Sequence, residues 1–119
     1  TNAAGSITIA AEAASETNAG SVELATDAEA LAGTVTDKAV TPANLAARSW
    51  VGSIGTGAAT SITVTHNLNS RDVIIQLYDN STYDTVYADV VRTTVDTATI
   101  TFSTAPATND IRVLVTKID

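Results

Sequence analysis

A chain of 119 residues amounts to one domain, or two very small ones. Its 6 Lys and Arg stand against 13 Asp and Glu, a net charge of −7, which excludes recognition by phosphate neutralisation, so neither nucleic acid nor an anionic membrane surface is an expected partner. The lack of cysteine and the single histidine exclude disulfides, zinc–thiolate and iron–sulfur centres, thiol nucleophiles and His–His metal sites within one chain, and no metal or cofactor is expected.

No stretch approaches the roughly 18 apolar residues of a membrane span, and the N-terminal residues lack the basic-then-apolar order of a signal peptide. Membrane insertion is not expected. With no methionine, the chain is expected to be a processed product or a piece of something longer. Hydrophobic residues make up 45%, but 21 of them are Ala, with one Phe, one Trp and three Tyr. Of the 21 Ala, 15 fall in the first 50 residues, whereas 15 of the 21 Val and Ile follow position 53. Burying a large aliphatic side chain is worth about 1.5 to 3 kcal/mol and an alanine much less, so residues 1–52 are expected to form a stem or collar that needs a partner. Residues 53–119 are expected to form an all-β domain.

In chain order, Thr1-Asn2-Ala3-Ala4-Gly5-Ser6-Ile7 is echoed by Thr17-Asn18-Ala19-Gly20-Ser21-Val22, the mark of a repeating extended unit. Ser21 to Ala25 alternates like a short strand. Thr26-Asp27-Ala28-Glu29 has the spacing of a capping box, and Gly33 is placed to stop the helix it opens. Thr41-Pro42 supplies an N-cap and a first-turn proline for a second short helix reaching Arg48. Gly52 to Gly57 reads as a linker. Trp50, just before it, is expected to pack where the two segments meet. Beyond it five runs alternate with period two: Ser61 to His66, Asp72 to Asp79, Thr85 to Thr93, Thr97 to Phe102 and Ile111 to Ile118. Short polar connectors between them predict antiparallel neighbours. The expected fold is mainly β with short N-terminal helices and a C-terminal antiparallel sandwich or barrel of about five strands.

The pleat sorts these runs into two faces. Ile62, Val64, Val73, Ile75, Leu77, Val86, Ala88, Val90, Ala98, Ile100, Phe102, Ile111, Val113 and Val115 fall on one face, the expected core. The other face is polar except for Ile74, Tyr78, Tyr87, Val91 and Leu114. Scattered exposed apolar residues are ordinary, but a contiguous group on a small domain predicts a subunit interface. A homo-oligomer is expected.

Candidate sites are few. His66 is the one imidazole, and at a strand end it is expected to make a structural turn hydrogen bond in preference to serving a nucleophile. Asp79, Asp84 and Asp89 recur at intervals of five, yet no EF-hand glycine or glutamate accompanies them, and a solvated acidic loop is expected instead of a metal site. Paired carboxylates raise a glycosidase, but some 65 residues of mostly small side chains leave little room for a groove. The chain is not expected to be an enzyme. Asn80, Ser81, Thr82, Tyr83 and Asp84 combine amide, hydroxyl, carboxylate and aromatic groups, the set a sugar surface calls for. They are the expected receptor contacts, with Tyr83 the best placed and Tyr78 and Tyr87 expected to pack.

The order Gly20-Ser21-Val22-Glu23-Leu24-Ala25-Thr26, then Glu29 to Gly33-Thr34, then Ala39-Val40-Thr41-Pro42-Ala43-Asn44-Leu45 resembles the repeat of bacteriophage tail fibre proteins over about 33 residues. Residues 57 to 118 resemble the small β domains that end phage tail proteins, through Thr65-His66-Asn67-Leu68 and Arg71-Asp72-Val73-Ile74-Ile75-Gln76. One full copy and a fragment of the repeat are present, where long fibres carry many. The resemblance implies an elongated homotrimer in the virion, joined to other phage tail or virion proteins, whose distal domain contacts a bacterial cell-surface glycan or other envelope receptor. The alternative it leaves open is a purely architectural stem, connector or head-fibre module without receptor contact.

Overall fold

The computed structural model describes residues 12–119, so the Thr1 half of the echo lies outside the described residues. Ser21 bridges in parallel to Ala13, and Glu23–Leu24 (β1) pairs in parallel with Lys38–Ala39 (β2). Between them runs Asp27–Ala32 (α1). Its capping box closes as the spacing predicts: the Glu29 N–H donates to Thr26 Oγ1 at 3.2 Å and the Thr26 N–H to Glu29 Oε2 at 3.4 Å. Gly33 ends the helix at φ 69, a left-handed position that a Cβ disfavours. Pro42–Leu45 (α2) opens the same way, with Thr41 and Asn44 exchanging hydrogen bonds at 3.3 and 2.7 Å, and a 3₁₀ turn over Ala46–Arg48 continues it. Asn44 is buried and donates to Ala25 O at 2.7 Å. Lys38 bridges Glu23 at 3.3 Å and Glu29 at 3.1 Å. The residues that carry the repeat resemblance are therefore caps, stops and ties of this helical turn.

Seven strands follow: Ser49–Ile54 (β3), Ser61–Thr65 (β4), Val73–Asp79 (β5), Thr85–Val86 (β6), Asp89–Val91 (β7), Thr97–Thr101 (β8) and Ile111–Lys117 (β9). They form two antiparallel sheets, β3-β9-β5-β6 and β4-β8-β7. The architecture is two open sheets over one core, and no barrel closes. Every residue assigned from the pleat to the inward face is buried or packed against that core, which Ile54 and Leu68 also join.

Three expectations change. Gly52 to Gly57 is not simply a linker, because Gly52, Ser53 and Ile54 complete β3, whose six residues pair with β9 from Ser49↔Thr116 to Ile54↔Ile111. Glycine at position 52 suits the strand because a Cβ there would collide with the half-buried Trp50 ring, so the break expected at 52 falls inside a strand. The number of strands rises from about five to seven. Finally, Thr85 to Thr93 is not one strand: β6 pairs with β5 in one sheet, and after Tyr87-Ala88 β7 pairs with β8 in the other. Val86, Ala88 and Val90 still all face the core because both sheets share it, and the alternation therefore runs unbroken through the corner.

The sheets have a direction. Lys117 pairs with Val73 beside the stem, and Ile111 pairs with both Ile54 and Asp79 at the far pole. The stem is clamped to the near pole: Arg48 Nη1 donates to Ala30 O at 3.0 Å and Leu31 O at 2.9 Å, Arg48 Nη2 donates to Asp119 O, and Lys117 Nζ donates to Leu31 O at 2.8 Å.

Candidate functional site at the far pole

Three loops meet at the end away from the stem: residues 55–60, 80–84 and 102–110. They are tied into one unit. Asn109 N–H donates to Gly55 O at 3.1 Å, Gly57 N–H to Pro106 O at 2.8 Å, and Asn80 N–H to Asp110 O at 2.8 Å. Gly55, at φ 124, lets Ala107 O approach where a Cβ would sit.

Within the 80–84 loop the predicted contacts divide. Asn80 Nδ2 donates to Ser53 Oγ at 3.1 Å and to Asn109 O at 2.8 Å, so this side chain fastens the loop to β3 and to the neighbouring loop. Asp79 accepts the N–H groups of Ser81 at 2.7 Å and Thr82 at 3.0 Å. The Thr82 N–H first, then that of Ser81, holds its carboxyl below the usual Asp value. Ser81, Thr82, Tyr83 and Asp84 are exposed. Tyr83 is 77% exposed at φ 65, a left-handed conformation uncommon for an aromatic residue, and its N–H donates to Asp79 O at 2.8 Å. Its ring lies 6.2 Å from that of Tyr78, tilted 39°, so a short aromatic platform runs from the sheet to the tip.

Sequence reasoning missed the partners this loop acquires by folding: Ser53, Asn109 and Asp110. No local pattern announces them, because each comes from a distant strand end. It also missed a cleft of about 540 Å³ beside the sheet-switching corner, bounded by Tyr87, Asp89, Phe102 and Ser103.

Of the five residues assigned to a subunit face, Ile74, Tyr78, Leu114 and Tyr87 lie on or beside the four-stranded sheet, with Ile74 and Tyr87 lining one cleft, and Val91 does not join them. Ile74, Tyr78 and Leu114 lie on the outer face of the four-stranded sheet, with Val51 directly opposite Leu114. Val91 points out of the other sheet, and Tyr87, 92% exposed, sits on the corner between the two. The cause is the switch at Tyr87-Ala88, after which Val91 belongs to the other sheet.

His66 is buried. Its Nδ1 accepts the Leu68 N–H at 3.1 Å, the turn bond expected of it, so the neutral ring carries its proton on Nε2, which has no partner among the described residues. Burial pushes its pKa below the ordinary 6.5, against the opposing pull of Asp96. Among the described residues no group of three or more His, Asp and Glu is placed to hold a metal ion. All six cations donate within the chain: beside Lys38, Arg48 and Lys117, Arg71 reaches Arg92 O and Thr93 O, Arg92 reaches Val73 O, and Arg112 reaches Ser53 Oγ. No helix of the described residues is long and apolar enough to cross a membrane. No protein-family model matches the chain, and comparison with curated proteins and with solved structures found no match.

Proposed function

We propose that this chain is part of a homotrimeric bacteriophage tail fibre, held in the virion through its stem, and that its β domain contacts a bacterial cell-surface glycan or other envelope receptor without bond chemistry. The observation that carries the reading is polar: the stem with the repeat-like residues attaches at one pole, and Ser81, Thr82, Tyr83 and Asp84 stand exposed at the other. Hydroxyls and a carboxylate beside an aromatic face suit a saccharide, whose C–H patches stack and whose hydroxyls need directional partners. Several weak sites on one particle add up through avidity, so a shallow patch on each copy is enough. The test is adsorption of purified protein to host cells and competition with phage infection. Binding that is lost in a Tyr83→Ala, Asp84→Ala variant supports the reading. Absence of adsorption by well-folded protein overturns it.

A second reading, an architectural stem, connector or head-fibre module, is favoured by the inward use of Asp79 and Asn80, which leaves fewer free groups at the tip. Full infectivity of phage carrying the same double variant would favour it.

A further inference from the structure

The two outer faces of the β domain differ in chemistry. The three-stranded sheet presents Ser61, Thr63, Thr65, Thr97, Thr99 and Thr101, with Asp89 and Val91 along its β7 edge, and some of these hydroxyls bond to one another and to a neighbouring threonine, as Thr63 to Thr99 and Thr93 to Thr99, each at 3.2 Å. Such a face is at ease in water. The four-stranded sheet instead carries a diagonal apolar row: Val51, then Leu114 opposite it, then Ile74, one step along the neighbouring strand. Ile118 extends the row and is tied in through its N–H to Asp72 O at 2.9 Å. Val51, Ile74 and Ile118 are 49%, 60% and 60% exposed.

Charge singles out the same face. The chain has 13 carboxylates and a net charge of −7, so two copies repel on most approaches. Yet no strand residue pointing out of the four-stranded sheet is acidic, and Arg112 is its one charge. Its free edge, β3, has no charge, proline or bulge over Ser49–Ile54, the devices that keep exposed edges from pairing with other chains.

We infer that the outer face of the β3-β9-β5-β6 sheet is the surface on which a second copy of this chain packs, leaving the threonine face outward. This deepens the oligomeric part of the reading above and does not depend on receptor binding. Strands of six, seven, seven and two residues, about 4.8 Å apart with about 3.3 Å per residue, cover on the order of 350 Å², under half of the ~800 Å² per partner of a standard interface. The exposed Val22, Leu24 and Leu45 of the stem offer further apolar area. An interface this modest should not survive two buried charges.

The test has two arms. Sedimentation of the intact chain should give a multiple of 12.2 kDa, and Val51→Asp with Ile74→Asp should reduce it to that single-chain mass, with a cooperative thermal transition retained. Thr99→Asp on the opposite face should leave the multiple unchanged. The second arm alters no apolar contact: because the chain has no cysteine, Thr116→Cys and Thr63→Cys report one face each. In the native protein maleimide should label Thr116→Cys at least about tenfold more slowly than Thr63→Cys, and equally fast in denaturant. A single-chain mass for the unaltered protein, an oligomer unmoved by the paired aspartates, or fast labelling of Thr116→Cys overturns the inference and leaves this face to a different protein. Failure to adsorb to cells with the oligomer intact counts against the receptor reading alone.

Discussion

Tyr83 shows how one backbone angle links stability to the surface presented at the far pole. A non-glycine residue held left-handed costs about 1 to 2 kcal/mol, and here the strain presents an aromatic ring at the far pole. Asparagine tolerates that angle better. Tyr83→Asn is therefore expected to match or exceed the parent in thermal stability while losing adsorption to host cells, which calorimetry and a binding assay would check together. His66 offers a second prediction. Its folded pKa lies below 6.5, so below pH 6.5 the unfolded chain takes up a proton that the folded chain refuses, and unfolding free energy should fall as pH drops from 6.5 toward the folded value. With one histidine and no cysteine, no other side chain ordinarily titrates between pH 5 and 7. Urea titrations across that range should show the slope, and His66→Gln should flatten it.

Among elements, the clamp between stem and sheet does the most with the fewest groups. α1 has six residues, none of them buried, and is too short to be stable alone. Arg48 and Lys117 reach its final carbonyls, where positive charge is favourable. Lys117 is 9% exposed, and a charged hydrogen bond of this kind is worth about 1.5 to 3 kcal/mol. Lys117→Met is expected to cost about that much in urea unfolding and to speed amide exchange in α1 while β5 and β9 stay protected. The caps of this element were legible in the sequence because Thr26, Glu29, Gly33, Thr41 and Pro42 act within one helical turn. The clamp was not, since Lys117 and Leu31 are 86 positions apart. The inward faces of the strands were equally legible, because alternation follows from the pleat alone. Which sheet each strand joins depends on long-range pairing, and so Val91 was grouped with Ile74 although the corner puts it in the other sheet. That Ser81, Thr82 and Tyr83 form an exposed loop was legible from composition, whereas the inward role of Asn80 depends on Ser53 and Asn109.

Across the whole molecule, one core serves both sheets, with Ile100 from one and Val113 and Val115 from the other fully buried. Ile100→Ala is expected to cost about 2 to 5 kcal/mol and to lower a single transition for all of β3 to β9, read by Trp50 fluorescence and β-sheet circular dichroism. The stem has little comparable burial, Asn44 being its one buried residue among the described residues. Limited proteolysis of the native protein should accordingly cut before Ser49 and spare the stretch from Ser61 to Lys117, which would move the practical domain boundary to the start of β3.

Asp119 lies beside Arg48 at the pole where the stem arrives, whereas the turn over Ser81 and Thr82 projects from the opposite pole. A reporter inserted beside Asp119 would thus start from the stem pole, away from the Ser81–Thr82 turn. A foreign peptide spliced between Ser81 and Thr82 would be displayed at the far pole, with Asn80 and Asp110 holding its base, and the chain would serve as a presentation scaffold.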